Sequence, residues 1–136
     1  MDINKKSRDR PPARTLGDTT TPAWRDSDWL SPDTLHDWIA TQAPFQLIDV
    51  RDVSEHRQGS LGGRLIPLKD IIKRQEELDT NRRIVFYCKS GIRSKAALLA
   101  VRTVSQEAEL YSLEGGIERY LEIYPDERYP VVFERL

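Results

Sequence analysis

One cysteine, Cys88, is the residue best suited to covalent chemistry in this chain, and its neighbours define what that chemistry would be. Cys88-Lys89-Ser90-Gly91-Ile92-Arg93-Ser94 combines a glycine for tight turning, two strong cations and a helical pattern directly behind them. A loop of this make can turn successive backbone N–H groups toward one sulfur, and the helix terminus adds its positive end. Both features favour the thiolate, the nucleophilic form of cysteine. Cys88 is therefore expected as an accessible nucleophile, with Lys89, Ser90, Gly91, Ile92 and Arg93 as binding residues for an anionic substrate. Free cysteines also serve simply to fill cores, but here the flanking glycine and cations favour chemistry over packing. Lys89 and Arg93 can be read as ordinary solvated charges. Two cations at a positive helix end repel, however, and an anion between them is the more economical account.

The elements that must hold this loop are legible around it. Ile84, Val85, Phe86 and Tyr87 run without interruption into Cys88, the pattern of a central strand covered on both faces. That places Cys88 at a strand's carboxyl end, where open parallel sheets collect ligands. Upstream, Ser31-Pro32-Asp33 reads as a helix start, followed by the stripe Leu35, Trp38, Ile39. Phe45 to Val50 reads as a buried strand stopped by Arg51 and Asp52, and Leu65 and Ile66 before Pro67 as a very short one. Leu68, Ile71, Ile72 and Leu78 fall at helical spacing and predict a second helix. Ala96 to Val101 with Val104 predicts a helix behind the cysteine loop, and Leu110 to Leu113 a further strand. Gly115 and Gly116 turn the chain, and Ile117, Tyr120, Leu121 and Tyr124 form a last helical stripe that Pro125 ends. Strands alternating with helices predict an α/β fold with a mainly parallel central sheet of about five short strands flanked by helices.

Composition narrows the function classes. With 136 residues the chain suits one domain, and 21 Lys plus Arg against 22 Asp plus Glu give a net charge of −1, without the basic footprint of a nucleic-acid binder. Residues 1–28 read as a basic, proline-containing tail or linker and 29–136 as the folded domain. Within Met1 to Arg14 five basic residues (Lys5, Lys6, Arg8, Arg10, Arg14) outweigh two acidic ones; a solvated tail is the plain account of them. A single cysteine builds neither an intrachain disulfide nor a four-thiolate zinc site, and chemistry that needs only one nucleophile would require no metal and no organic cofactor. The first residues lack the apolar core of a secretory signal, and no run of about 18 apolar residues occurs to cross a membrane. A cytoplasmic protein without nucleic-acid or membrane partners is the expectation.

The segment Tyr87-Cys88-Lys89-Ser90-Gly91-Ile92-Arg93-Ser94 resembles the active-site loop of rhodanese-type sulfurtransferases. Leu47-Ile48-Asp49-Val50-Arg51, with Glu55 after it, resembles the first signature of that family, and Leu113-Glu114-Gly115-Gly116-Ile117 its last. Leu61-Gly62-Gly63-Arg64-Leu65-Ile66-Pro67-Leu68 is similar to rhodanese domains fused behind adenylyltransferases that activate ubiquitin-like sulfur carriers in molybdopterin biosynthesis. The resemblance covers about Trp29 to Tyr129. It implies a rhodanese-like fold and a sulfurtransferase that carries sulfane sulfur as a persulfide on Cys88. Thiosulfate or a persulfidated protein would be the donor, and a ubiquitin-like sulfur carrier, served by an adenylyltransferase, a candidate acceptor. Backbone amides from Lys89 to Arg93 would hold the persulfide, and Lys89 and Arg93 would orient the charged substrate.

Two positions depart from the family's pattern. Ser60 stands where histidine is common after Gly59, and His56 where an aromatic is usual; neither is given a catalytic role. His36 and His56 are expected on helix or loop surfaces. Asp49 and Arg51 are expected as a structural pair joining the strand end to neighbouring loops. Two rival readings remain: a non-catalytic docking or regulatory module of the same fold, and a cysteine phosphatase. The phosphatase loop carries five residues between cysteine and arginine, whereas four separate Cys88 from Arg93.

Overall fold

A computed structural model describes residues 23–128. Its centre is a five-stranded, wholly parallel sheet formed by β1 (Trp29–Leu30), β2 (Phe45–Asp49), β3 (Arg64–Leu65), β4 (Arg83–Tyr87) and β5 (Leu110–Leu113), in the spatial order β1-β5-β4-β2-β3. The helices are α1 (Pro32–Ala40), α2 (Val53–Gln58), α3 (Ile92–Val104) and α4 (Gly116–Ile123). β4 lies at the middle, and Ile84, Val85, Phe86 and Tyr87 are all fully buried, as a strand covered on both faces must be. Side chains alternate across it. Ile84, Phe86 and Cys88 join a cluster with Ala97, Leu98 and Val101 of α3, while Val85 and Tyr87 join another with Leu35 of α1 and Ile117 and Tyr120 of α4. The result is the expected α/β architecture of helices over both faces of a parallel sheet.

Helix α1 begins as its sequence dictates: the Ser31 hydroxyl accepts the Thr34 N–H at 3.1 Å, and Pro32 occupies the first turn, where no amide hydrogen is needed. Four elements differ from the sequence expectation, the first being β1 (Trp29–Leu30), a two-residue edge strand that was not read from the sequence. The predicted second helix is instead two 3₁₀ turns, Leu68–Asp70 and Gln75–Glu77. Ile71 and Leu78 still bury in the α3-side cluster, but the Arg74 guanidinium bonds the Glu77 carboxylate, and the bonds that close the second turn run from residue i to i−3. The short strand starts at Arg64 rather than Leu65, with Ile48 paired to Arg64 and Asp49 to Leu65. Helix α2 went unpredicted although Asp52 and Glu55 carry its capping box: Asp52 Oδ1 accepts the Glu55 N–H at 3.1 Å, and Glu55 Oε1 accepts the Asp52 N–H at 3.2 Å.

The folded unit also reaches ahead of Trp29. Trp24 packs against the α3-side cluster, and Asp28, 3% exposed, holds the buried Arg102 guanidinium of α3 through two bonds of 2.8 and 2.9 Å. The basic residues between Met1 and Arg14, and residues 129–136, lie outside the described residues.

Candidate active site

β4 delivers Cys88 to the carboxyl edge of the sheet, where Val50 N–H bonds the Tyr87 carbonyl at 2.9 Å and Asp49 sits in register with Tyr87. From there the chain folds back over the sulfur. Gly91, at φ +110°, ends the loop in the left-handed region open to glycine and caps α3. Its N–H reaches Cys88 Sγ at 3.1 Å, and the N–H of Ser94, in the first turn of α3, reaches it at 3.3 Å. The sulfur thus accepts amide hydrogens that a helix start leaves without partners. The Trp29 ring lies behind this turn, 3.4 Å from where a Cβ on Gly91 would stand, and Trp24 meets it edge-on.

A buried pair of hydroxyls completes the surroundings of the sulfur. Ser94 Oγ lies 3.5 Å from Cys88 Sγ, donates to the Gly91 carbonyl at 3.2 Å, and lies 2.7 Å from Ser112 Oγ on the neighbouring strand β5. Neither serine is exposed. Ser94 was available to sequence reasoning, because Ser94, Ala97, Leu98 and Val101 fall on one helix stripe. Ser112 was not, since only the register of β5 against β4 brings it there.

Helix α4 holds the loop from the other side. The Ile117 N–H bonds the Cys88 carbonyl at 2.8 Å and the Glu118 N–H the Lys89 carbonyl at 3.1 Å. Gly116, at φ +65°, makes this approach possible: a Cβ there would collide with the Lys89 carbonyl and stand 2.6 Å from the Cys88 oxygen.

Three expectations are corrected here. Cys88 is not the accessible residue expected but 1% exposed, at the base of its loop. Arg93 is not held ready for an outside anion. Its Nη1 and Nη2 bond Glu55 Oε1 and Oε2 at 2.7 and 2.9 Å, a two-pronged pair between the first turns of α3 and α2. The Arg93 bonds hold the Glu55 carboxyl down at about 2, far below its ordinary value, and Glu55 in turn raises Arg93. The anion that two cations at this helix start called for is thus supplied from within the chain. Finally, His56 is not on the surface: it is 2% exposed, with Nδ1 2.9 Å from Asp49 Oδ2. His36 is half-buried on α1, stacked on Tyr124 at 3.9 Å with Nδ1 2.8 Å from Glu127 Oε2.

Asp49 and Arg51 form a buried pair, the guanidinium bonding Asp49 through Nε at 3.0 Å and Nη2 at 2.8 Å and the Gly59 carbonyl through Nη2 at 2.8 Å. This ties β2 to the end of α2. Next to it the Tyr87 hydroxyl accepts the Leu61 N–H and donates to the Gly62 carbonyl, each at 3.0 Å. Burial, and then the Asp49 charge, push the Tyr87 phenol up, so it stays a neutral hydrogen-bonding group. Lys89 and Ser90 are exposed, Lys89 Nζ lying 3.7 Å from Glu118, and Ile92 is 78% exposed at the rim. A groove lined by Arg51, Glu55, Gln58, Gly59, Lys89 and Glu118, among others, opens beside the loop. Among the described residues no group of His, Cys, Asp and Glu could hold a metal ion.

The family model described as "Rhodanese-like domain" matches residues 31–123. "Probable adenylyltransferase/sulfurtransferase MoeZ" of Mycobacterium tuberculosis is 38% identical over 92 residues, which are 65% of this chain and 23% of that protein. "tRNA uridine(34) hydroxylase" of Nitrobacter winogradskyi is 33% identical over 120 residues, 82% of this chain and 46% of that one. The chain thus spans less than half of either relative. Among solved structures, the Alr3790 protein from Anabaena matches with a TM-score of 0.66 at 21% identity, over 76% of this chain and 81% of that one.

Proposed function

This chain belongs to the rhodanese-like domain family, and we propose that it is a sulfurtransferase that carries sulfane sulfur as a persulfide on Cys88. The observation that carries the reading is the convergence of the Gly91 and Ser94 N–H groups on a buried cysteine sulfur at a strand's carboxyl end. Such donors hold negative charge on sulfur and need no reorganisation as it moves. The Cys88 thiolate attacks the outer sulfur of thiosulfate; the donor's S–S bond breaks, sulfite leaves with the bonding pair, and Cys88 keeps the sulfur as Cys–S–S⁻. With a persulfide donor the leaving group is a thiolate. Lys89 to Arg93 form the wall along which donor and acceptor approach, and Asp49 with Arg51 fixes the strand end from which the loop springs.

The acceptor we favour is the carboxyl terminus of a ubiquitin-like sulfur carrier, activated by an adenylyltransferase in molybdopterin or related cofactor synthesis. Support comes from the resemblance of Leu61 to Leu68 to carrier-linked domains and from the likeness to a relative named adenylyltransferase/sulfurtransferase. The terminal sulfur of the persulfide displaces AMP from the carrier adenylate, and a thiol reductant then cleaves the acyl disulfide to leave the thiocarboxylate. A reducing compartment, the cytoplasm, suits a chain with a single cysteine.

Intact mass after incubation with thiosulfate, and with the singly charged sulfane donor methanethiosulfonate, tests the reaction class. The wild type should gain one sulfur atom and Cys88→Ser none, with folding checked by circular dichroism; equal sulfur transfer by both would sink the reading in favour of a docking module. Mixed with an adenylated carrier ending in Gly-Gly, the loaded protein should exchange one carrier oxygen for sulfur. If small thiols take the sulfur and no carrier does, general sulfur transfer stands and the carrier role falls.

A further inference from the structure

Between the first turns of α2 and α3 the chain spends its best anion-binding group on one of its own carboxylates. Arg93 stands in the first turn of α3, one residue before Ser94, whose N–H reaches the Cys88 sulfur, and its planar fork would fit an oxyanion. Both prongs are taken by Glu55. Nor is Glu55 loosely placed, since the capping box fixes its backbone N–H on Asp52 and its Oε1 on the Asp52 N–H. Of the cations that line the groove beside the loop, Arg51 is held by Asp49, Lys89 lies 3.7 Å from Glu118, and Arg128 lies over Gly59. At the rim stands the exposed, apolar Ile92.

We propose that Glu55, acting through Arg93, is the residue that sets donor choice, screening the loop against doubly charged donors such as thiosulfate and leaving it open to singly charged sulfane donors such as persulfides. Glu55 is a positioning residue here, because it touches Arg93 and not the reacting atoms. A dianion approaching Arg93 meets a carboxylate already seated there and must either displace it or stand beside it, and a like charge at that distance is repelled. A monoanion that presents its outer sulfur to Cys88 needs less of the guanidinium. The inference rests on the sulfurtransferase reading above.

Two donors with the same reacting bond isolate the charge. Thiosulfate carries two negative charges and releases sulfite; methanethiosulfonate carries one and releases methanesulfinate; both leave the same persulfide on Cys88. The ratio of kcat/KM for thiosulfate to that for methanethiosulfonate should be low in the wild type. In Glu55→Gln it should rise by about ten-fold or more, through a lower KM for thiosulfate, because Arg93 is freed of its counter-charge. Glu55→Asp, which keeps the charge, should stay near the wild-type ratio. An unchanged or lower ratio in Glu55→Gln, or an equal rise in Glu55→Asp, overturns the inference. Salt offers a check on the wild type itself: its kcat/KM for thiosulfate should change by no more than about two-fold between low and physiological ionic strength, and a steep fall would reveal a free cation field and overturn it. If neither donor leaves a sulfur on Cys88, the sulfurtransferase reading fails with it. If both do and the ratio does not move, only the role of Glu55 is lost.

Discussion

At the scale of the residue, the sulfur accepts from backbone amides fixed by the loop and lies against a pair of hydroxyls fixed by packing, of which Ser94 Oγ is the one in contact with it. The amides survive most substitutions; the hydroxyls do not. Ser94→Ala removes the group 3.5 Å from Cys88 Sγ and strands the buried Ser112 hydroxyl, which lies 2.7 Å from Ser94 Oγ. An unsatisfied buried hydroxyl costs about 1–3 kcal/mol, so Ser94→Ala should lower stability by that amount in urea unfolding, and Ser112→Ala by less, because Ser94 keeps its bond to the Gly91 carbonyl. The double variant should lose less than the sum, by about 0.5 kcal/mol or more, because it leaves neither hydroxyl without its partner. Strict additivity would show that the two serines do not act as one unit.

At the scale of the element, the loop's shape depends on how closely α4 approaches it. The Ile117 and Glu118 N–H groups bind the Cys88 and Lys89 carbonyls only because Gly116 brings no side chain between them. Gly116→Ala adds a carbon where the Lys89 carbonyl already stands and forces alanine to hold φ +65°. The loss expected is about 2 kcal/mol or more in stability. Sulfur transfer per folded molecule should fall by about ten-fold or more, since small displacements of reacting groups are costly in rate. Kinetics and denaturant unfolding on the same preparation check both. Wild-type turnover in a destabilised Gly116→Ala would mean that α4 supports the fold but does not shape the loop.

At the scale of the whole molecule, the sheet is held from one edge by residues that precede its first strand. Asp28 neutralises Arg102, which is 4% exposed on α3, the helix that also presents Arg93 and Ser94 to the site. Breaking a buried pair from one side strands a charge, so Asp28→Ala should destabilise the protein by about 3–5 kcal/mol in urea unfolding. Asp28→Ala combined with Arg102→Met should recover part of that loss, because no buried charge is then left without a partner. A loss below about 1 kcal/mol in the single variant would place Ala23 to Asp28 outside the cooperative unit.

The sequence alone carried the α/β class, the central strand into Cys88, the glycine turn behind it and the start of α1, because each rests on neighbours a few residues apart: a hydrophobic run, a capping hydroxyl, a φ that glycine adopts. It also carried signals that went unread, such as the capping box of Asp52 and Glu55 and the place of Ser94 on the buried stripe of α3. The depth of Cys88, the burial of His56 on Asp49, the seating of Arg93 on Glu55 and the reach of Ser112 to Ser94 were decided only by the tertiary structure. Glu55 and Arg93 are 38 residues apart in the chain, and Ser94 and Ser112 are 18 apart. Periodicity tells which face of an element a side chain occupies, but the partner it meets is set by the order and register of strands, which here places β5 beside β4 and α2 beside the start of α3. That is why the loop around Cys88 was legible in the sequence and the carboxylate that Arg93 meets was not.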